Sequence, residues 1–119
     1  MVAMGVVGDK TEFGLEGSGF IRRVGSSVKH LQVGQAVVIV TDGLLCTRKI
    51  VPAHCCSPLV PGLSLADAAT VPSVFTTAIY SLIEICRLQE GQSVLIHSAC
   101  GGVGLAAIQV CQVLGAKVC

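Results

Sequence analysis

The chain has 119 residues, of which 52% are hydrophobic and 13% charged, with a formal net charge of +1. That length is enough for a small domain with a core, and the composition excludes a disordered segment. Scattered basic residues and only 3% aromatics argue against nucleic acid or an anionic membrane surface as partner, and so low a charge implies surface buried against something outside the chain.

The opening "MVAMGVVGDK" lacks a basic start followed by a long apolar run, so no secretory signal is expected. From there to about Leu59 the pattern is β. "GFIRRVG" and "AVVIV" are short apolar runs bounded by glycine and polar turns, and "LLCTRKIVP" alternates loosely up to Pro52. Part of a small antiparallel barrel or sandwich is expected here.

The pattern changes near residue 60. Pro61-Gly62 marks a turn, and Ser64 with Asp67 three residues on forms a capping-box pattern. A short helix through Ala69 follows and Pro72 interrupts it. Ser73 is then placed to cap a second helix, "VFTTAIYSLIEICRL", with apolar residues Phe75, Ile79, Leu82, Ile83 and Cys86 at helical spacing. "SVLIH" is a buried-type strand. "VGLAAIQVCQVL" is a helix that stops at Gly115, and "AKVC" begins another strand. Strand, helix and strand in this order predict a parallel, doubly covered sheet. No run reaches about 18 uninterrupted apolar residues, so no transmembrane helix is expected.

Between the strand and the last helix lies "HSACGGVGLAAIQ". Ala99, Gly101 and Gly104 occupy the three places of a dinucleotide fingerprint, here A-x-G-x-x-G. The second place must admit pyrophosphate, and the third lets the helix pack on the strand. Amides at the helix start, backed by the helix dipole, favour the anion. The other reading is a tight turn between two buried elements, because turns use glycine freely. The residue that reads the ribose falls at or past Cys119, so NAD and NADP are not distinguished by the residues present.

Two long stretches, "GLEGSGFIRRVGSSVKHLQVGQAVV" and "VPGLSLADAATVPSVFTTAIYSLIEICRLQEGQSVLIHSACGGVGLAAIQVCQVLGAKV", carry a resemblance. They resemble the medium-chain dehydrogenase/reductase superfamily. Within it the chain is most similar to the enoyl reductase domains of fungal highly reducing polyketide synthases, with quinone oxidoreductases next. The resemblance implies an α/β fold: a partial GroES-like β-rich catalytic region over residues 1–60, then the start of a Rossmann doubly wound parallel sheet over 61–119. It implies a fragment, whose parent reduces the α,β double bond of an acyl carrier-bound enoyl thioester with NADPH, beside neighbouring synthase domains. The alternatives are a free-standing zinc-free quinone or enone oxidoreductase, or a truncated piece without activity.

Carried over by position, the resemblance assigns the pyrophosphate to Ala99, Cys100, Gly101, Gly102, Val103 and Gly104. It puts Thr77 near the nicotinamide, with Thr76 as a weaker neighbour; helix packing is the other reading of both. No catalytic residue is assigned, because the family's proposed proton donors lie largely outside the chain. Zinc-dependent relatives read Gly-His-Glu where this chain has Gly14-Leu15-Glu16, and Leu15 cannot ligate zinc. Glu16 reads as structural, and Gly34-Gln35 as a turn in place of the common Gly-Asp.

The remaining candidates have plainer readings. Seven cysteines, an odd count without a C-x-x-C pair, suit a reducing, cytoplasmic compartment, with the thiols acting as small buried hydrophobes. His54, Cys55 and Cys56, with Cys46 nearby, are not expected to bind metal, since adjacent strand residues point to opposite faces. Cys100 lacks an adjacent base and is not expected to be a nucleophile. His97 reads as a packed histidine, Tyr80 as a packing residue one turn beyond Thr77, and Arg22 and Arg23 as solvated.

Overall fold

A computed structural model describes residues 12–119, and the chain divides into two compact units between Pro72 and Ser73. The opening stretch, residues 1–11, lies outside the described residues.

The first unit is built on a three-stranded antiparallel sheet in the order β1 (Glu16–Phe20), β2 (Ala36–Val40) and β3 (Cys56–Pro58). Glu16 pairs with Val40 and Phe20 with Ala36, while Val37 pairs with Pro58 and Ile39 with Cys56. The β-rich expectation is met, with two corrections. The first strand ends at Phe20, so "IRRVG" continues as irregular chain. "LLCTRKIVP" forms no strand; it leads into a 3₁₀ turn at Ala53–Cys55. Its alternation is loose, and no partner strand among the described residues takes up its backbone groups.

Helix α1 (Leu65–Ala68) belongs to this first unit. The capping pattern forms: the Ser64 hydroxyl accepts the Asp67 N–H at 3.1 Å and donates to the Asp67 carboxylate at 2.7 Å. Ala68 is fully buried, and the Ser18 hydroxyl on β1 donates to the Leu65 carbonyl at 2.5 Å. The compositional break near residue 60 therefore precedes the spatial one, because α1 is seated on the β-rich sheet.

Helix α2 (Pro72–Ile79) starts on proline itself, where the missing N–H costs nothing. Ser73 is thus inside the helix and does not cap it. The predicted long helix also changes form, since Tyr80–Ile85 is a π-helical segment. The Cys86 N–H donates to the Ser81 carbonyl, five residues back, at 3.0 Å.

The rest of the second unit is one β–α–β crossover. Strands β4 (Ser93–Val94) and β5 (Lys117–Val118) pair in parallel, joined through helix α3 (Gly102–Leu114). Gly115 ends α3 in the left-handed region at φ +70°, and its N–H returns to the Cys111 and Gln112 carbonyls. The core is Ala78 from α2 against Ala106, Ala107 and Val110 from α3, with Val74, Phe75, Leu82, Ile96 and Leu114 around it. Small side chains let the two helices approach closely. The outer surface stays apolar: Tyr80, Ile85, Leu105 and Val113 are exposed, Val113 to 88%. That accords with the expectation that such a chain buries surface against something beyond itself.

Candidate dinucleotide site

The glycine loop runs from the end of the β4 segment into α3. Gly101 is the N-cap of α3, in extended geometry at φ −82° and ψ 166°. Any residue could hold that backbone, so conformation alone does not call for glycine here.

The two fingerprint glycines stand in different surroundings. A Cβ on Gly104 would stand 2.5 Å from the Ser98 carbonyl oxygen and 2.6 Å from the Ala99 Cα, so the helix packs on its own loop only without a side chain. A Cβ on Gly101 would meet nothing nearer than the Ser98 carbonyl oxygen at 3.4 Å. Gly101 is exposed, so the space beside it opens to solvent. Packing within the chain explains glycine at 104, whereas at 101, the N-cap of α3, it leaves room for a side chain. Gly102 is intermediate: a Cβ there would lie 3.2 Å from Val74 Cγ1 on α2.

The donors are narrower than the sequence implies. The Gly101 N–H is already committed to the Ser98 carbonyl at 2.9 Å. Gly102 and Val103, both exposed, follow in the first turn of α3, where N–H groups have no intrahelical partner. No protein carbonyl among the described residues accepts them. With thirteen residues behind them, the helix dipole adds its positive end at this point. The arrangement suits a phosphate held by main chain alone.

Ala99 is half-buried beneath the loop, whereas Cys100 is exposed upon it. Thr77 is exposed on α2, and its hydroxyl donates to the Ser73 carbonyl at 2.7 Å, within its own helix. Its oxygen lone pairs remain able to accept a bond from a ligand. Thr76 and Tyr80 are also exposed, so Tyr80 is not packed within the described residues. The same holds for His97, which is exposed rather than packed.

Sequence reasoning missed Ser98. It is held at φ +55°, a left-handed conformation that non-glycine residues adopt at a cost. Nothing in its immediate sequence marks it, because serine occurs in every kind of turn.

In the first unit, Leu15 is exposed, and Glu16 is half-buried at the start of β1. Gln35 closes the turn before β2 by accepting the Gln32 N–H at 3.0 Å, which is how the chain accommodates glutamine there. Cys55 lies in the 3₁₀ turn and Cys56 in β3, so they do not share a strand. Burial, then the neighbouring Cys55, pushes the Cys56 thiol above its ordinary range. Burial alone does the same to Cys111. Among the described residues, no group of three or more His, Cys, Asp or Glu side chains is placed to hold a metal ion.

No family model matches the chain. It is 50% identical over 99% of its length to a highly reducing polyketide synthase, gloL, of Glarea lozoyensis. Among solved structures, the CurK enoyl reductase superposes on 90% of the chain with a TM-score of 0.84 and 39% identity. The chain is thus similar in sequence to a segment of fungal highly reducing polyketide synthases and in fold to a solved enoyl reductase.

The chain spans 5% of the length of gloL and 32% of the CurK structure. It is also similar to the Escherichia coli quinone oxidoreductase, solved in complex with NADPH, with a TM-score of 0.81, 32% identity and coverage of 89% of this chain and 33% of that one. Its two sheets are accordingly part of a GroES-like β-rich region and the beginning of a Rossmann sheet. The proteins it resembles in fold include two solved in complex with NADPH. No helix among the described residues is long and apolar enough to cross a membrane.

Proposed function

We propose that this chain forms part of an NADPH-dependent enoyl reductase, acting in a polyketide synthase on an enoyl thioester tethered to an acyl carrier. In this reading residues 1–60 contribute to the catalytic region and 61–119 begin the cofactor region. Neighbouring synthase domains are its partners. The unpaired cysteines fit a reducing cytoplasm.

The observation that carries the cofactor assignment is the open space at Gly101. The chain itself tolerates a side chain there, yet a bound pyrophosphate would not. Gly102 and Val103 donate main-chain N–H groups to the phosphates, Ala99 and Gly104 keep the loop close to the helix, and Cys100 borders the site. Thr77 offers a hydroxyl oxygen on the nicotinamide side. When bound, NADPH supplies the hydride that adds to the β-carbon of the enoyl thioester, and a proton completes the α-carbon. The part of these residues is to bind and orient, which makes the transfer effectively intramolecular.

A free-standing quinone or enone reductase is the second reading, favoured by the similarity to the quinone oxidoreductase. Turnover of a crotonyl thioester against a quinone by the full-length protein separates the two. The cofactor site is tested by Gly101→Val in that protein. Titration with NADPH is expected to show a severe loss of affinity with little change in melting temperature. An unchanged dissociation constant would mean that the loop is only a turn.

A further inference from the structure

One carbonyl organises the loop. The Ser98 oxygen accepts the Gly101 N–H at 2.9 Å. It is also the nearest atom to a Cβ placed on either fingerprint glycine, at 3.4 Å for Gly101 and 2.5 Å for Gly104. Ser98 itself sits at φ +55°, in the left-handed region. Among the described residues, Arg87, in the turn after the π-helical segment, is the other non-glycine residue with positive φ. All of the contacts that Ser98 makes here run through its main chain, and its hydroxyl takes no part in them.

We propose that Ser98 is a positioning residue of the dinucleotide site, acting through its left-handed backbone rather than its hydroxyl. This rests on the reading of the loop as a cofactor cradle. With its carbonyl turned inward, Ser98 occupies the Gly101 N–H and supports the first turn of α3 at Gly104. The turn so fixed leads directly into the exposed Gly102 and Val103, whose first-turn amides have no intrahelical partner. A residue that resists the left-handed region would swing the carbonyl away and open the turn. The two amides would then lose their common aim, although α3 itself would persist.

The test is a series at position 98 in the full-length protein that carries this chain, with NADPH titration, steady-state kinetics and thermal unfolding on each variant. Ser98→Gly and Ser98→Asn, which tolerate positive φ, are expected to stay within about threefold of the wild-type dissociation constant. Ser98→Val, close in size but β-branched, is expected to weaken binding by about tenfold. Its KM for NADPH should rise by more than its kcat falls. If Ser98→Val does not fold, Ser98→Ala takes its place and should bind more weakly than Ser98→Gly. Equal affinity of wild type and Ser98→Val would overturn the proposal. So would Gly and Asn variants as weak as the Val or Ala variant, since the hydroxyl would then be what matters. A wild-type protein that does not bind NADPH is a different result: it overturns the cofactor reading itself, and this inference with it.

Discussion

The Ser98 carbonyl oxygen lies 2.5 Å from the position that a Cβ on Gly104 would take, with the Ala99 main chain almost as near. Backbone cannot step aside as a flexible side chain can. Gly104→Ala is therefore expected to destabilise the protein by about 1–3 kcal/mol, the range for forcing atoms into a filled site. Denaturant unfolding of the full-length protein measures it. A variant as stable as wild type would mean that the helix can lift off its loop freely.

The cysteines divide by access. Cys46, Cys86, Cys100 and Cys119 are exposed, and Cys111 is fully buried. A brief pulse of iodoacetamide followed by mass mapping should label the first four and spare Cys111 until the protein is unfolded. Saturating NADPH should protect Cys100 more than Cys46, because Cys100 borders the proposed phosphate site.

The raised thiols set the sense of a pH effect. Cys56 and Cys111 hold their protons to higher pH in the folded state than in the unfolded one. Their contribution is fully present below the ordinary thiol pKa and is lost as pH rises through the raised values. Melting temperature should accordingly fall on the alkaline side of the ordinary thiol range. Cys111→Ala should flatten that fall, and an unchanged alkaline limb would show that burial of this thiol is not coupled to stability.

Zinc should be absent in stoichiometric amount. Leu15 stands where zinc-dependent relatives carry a histidine, and Cys55 and Cys56 are split between a 3₁₀ turn and a strand. Elemental analysis of protein purified without added metal decides the matter, and one zinc per chain would be the contrary result.

Residues 1–119 expressed alone are expected to unfold without a sharp transition and to lack turnover. The core of the second unit rests mainly on alanines, while Leu105, Val113, Tyr80 and Ile85 face outward. Its parallel sheet has two strands and so two open edges. Calorimetry together with an NADPH-oxidation assay on a crotonyl thioester tests this. A cooperative transition accompanied by turnover would contradict it.

Much of this protein is determined by local sequence. The Ser64–Asp67 cap, the stop of α3 at Gly115 and the β–α–β order around the glycine loop each depend on a few neighbouring residues, and all three formed. The fingerprint places at Ala99, Gly101 and Gly104 are legible for the same reason. Other features depend on partners distant in the chain. "LLCTRKIVP" alternates as a strand does, but alternation without a paired neighbour leaves backbone groups that irregular chain and water satisfy as well. The seating of α1 on the β-rich sheet includes a bond between Ser18 and Leu65, which lie far apart in sequence. The shift to π-helical geometry after Ile79, the exposure of Tyr80 and His97 and the left-handed turn at Ser98 carry no local signature. The division of labour between the two glycines was likewise decided in three dimensions. A sequence records that both lack a side chain, whereas only the fold reveals that a side chain at 104 would strike the protein's own main chain and one at 101 would not.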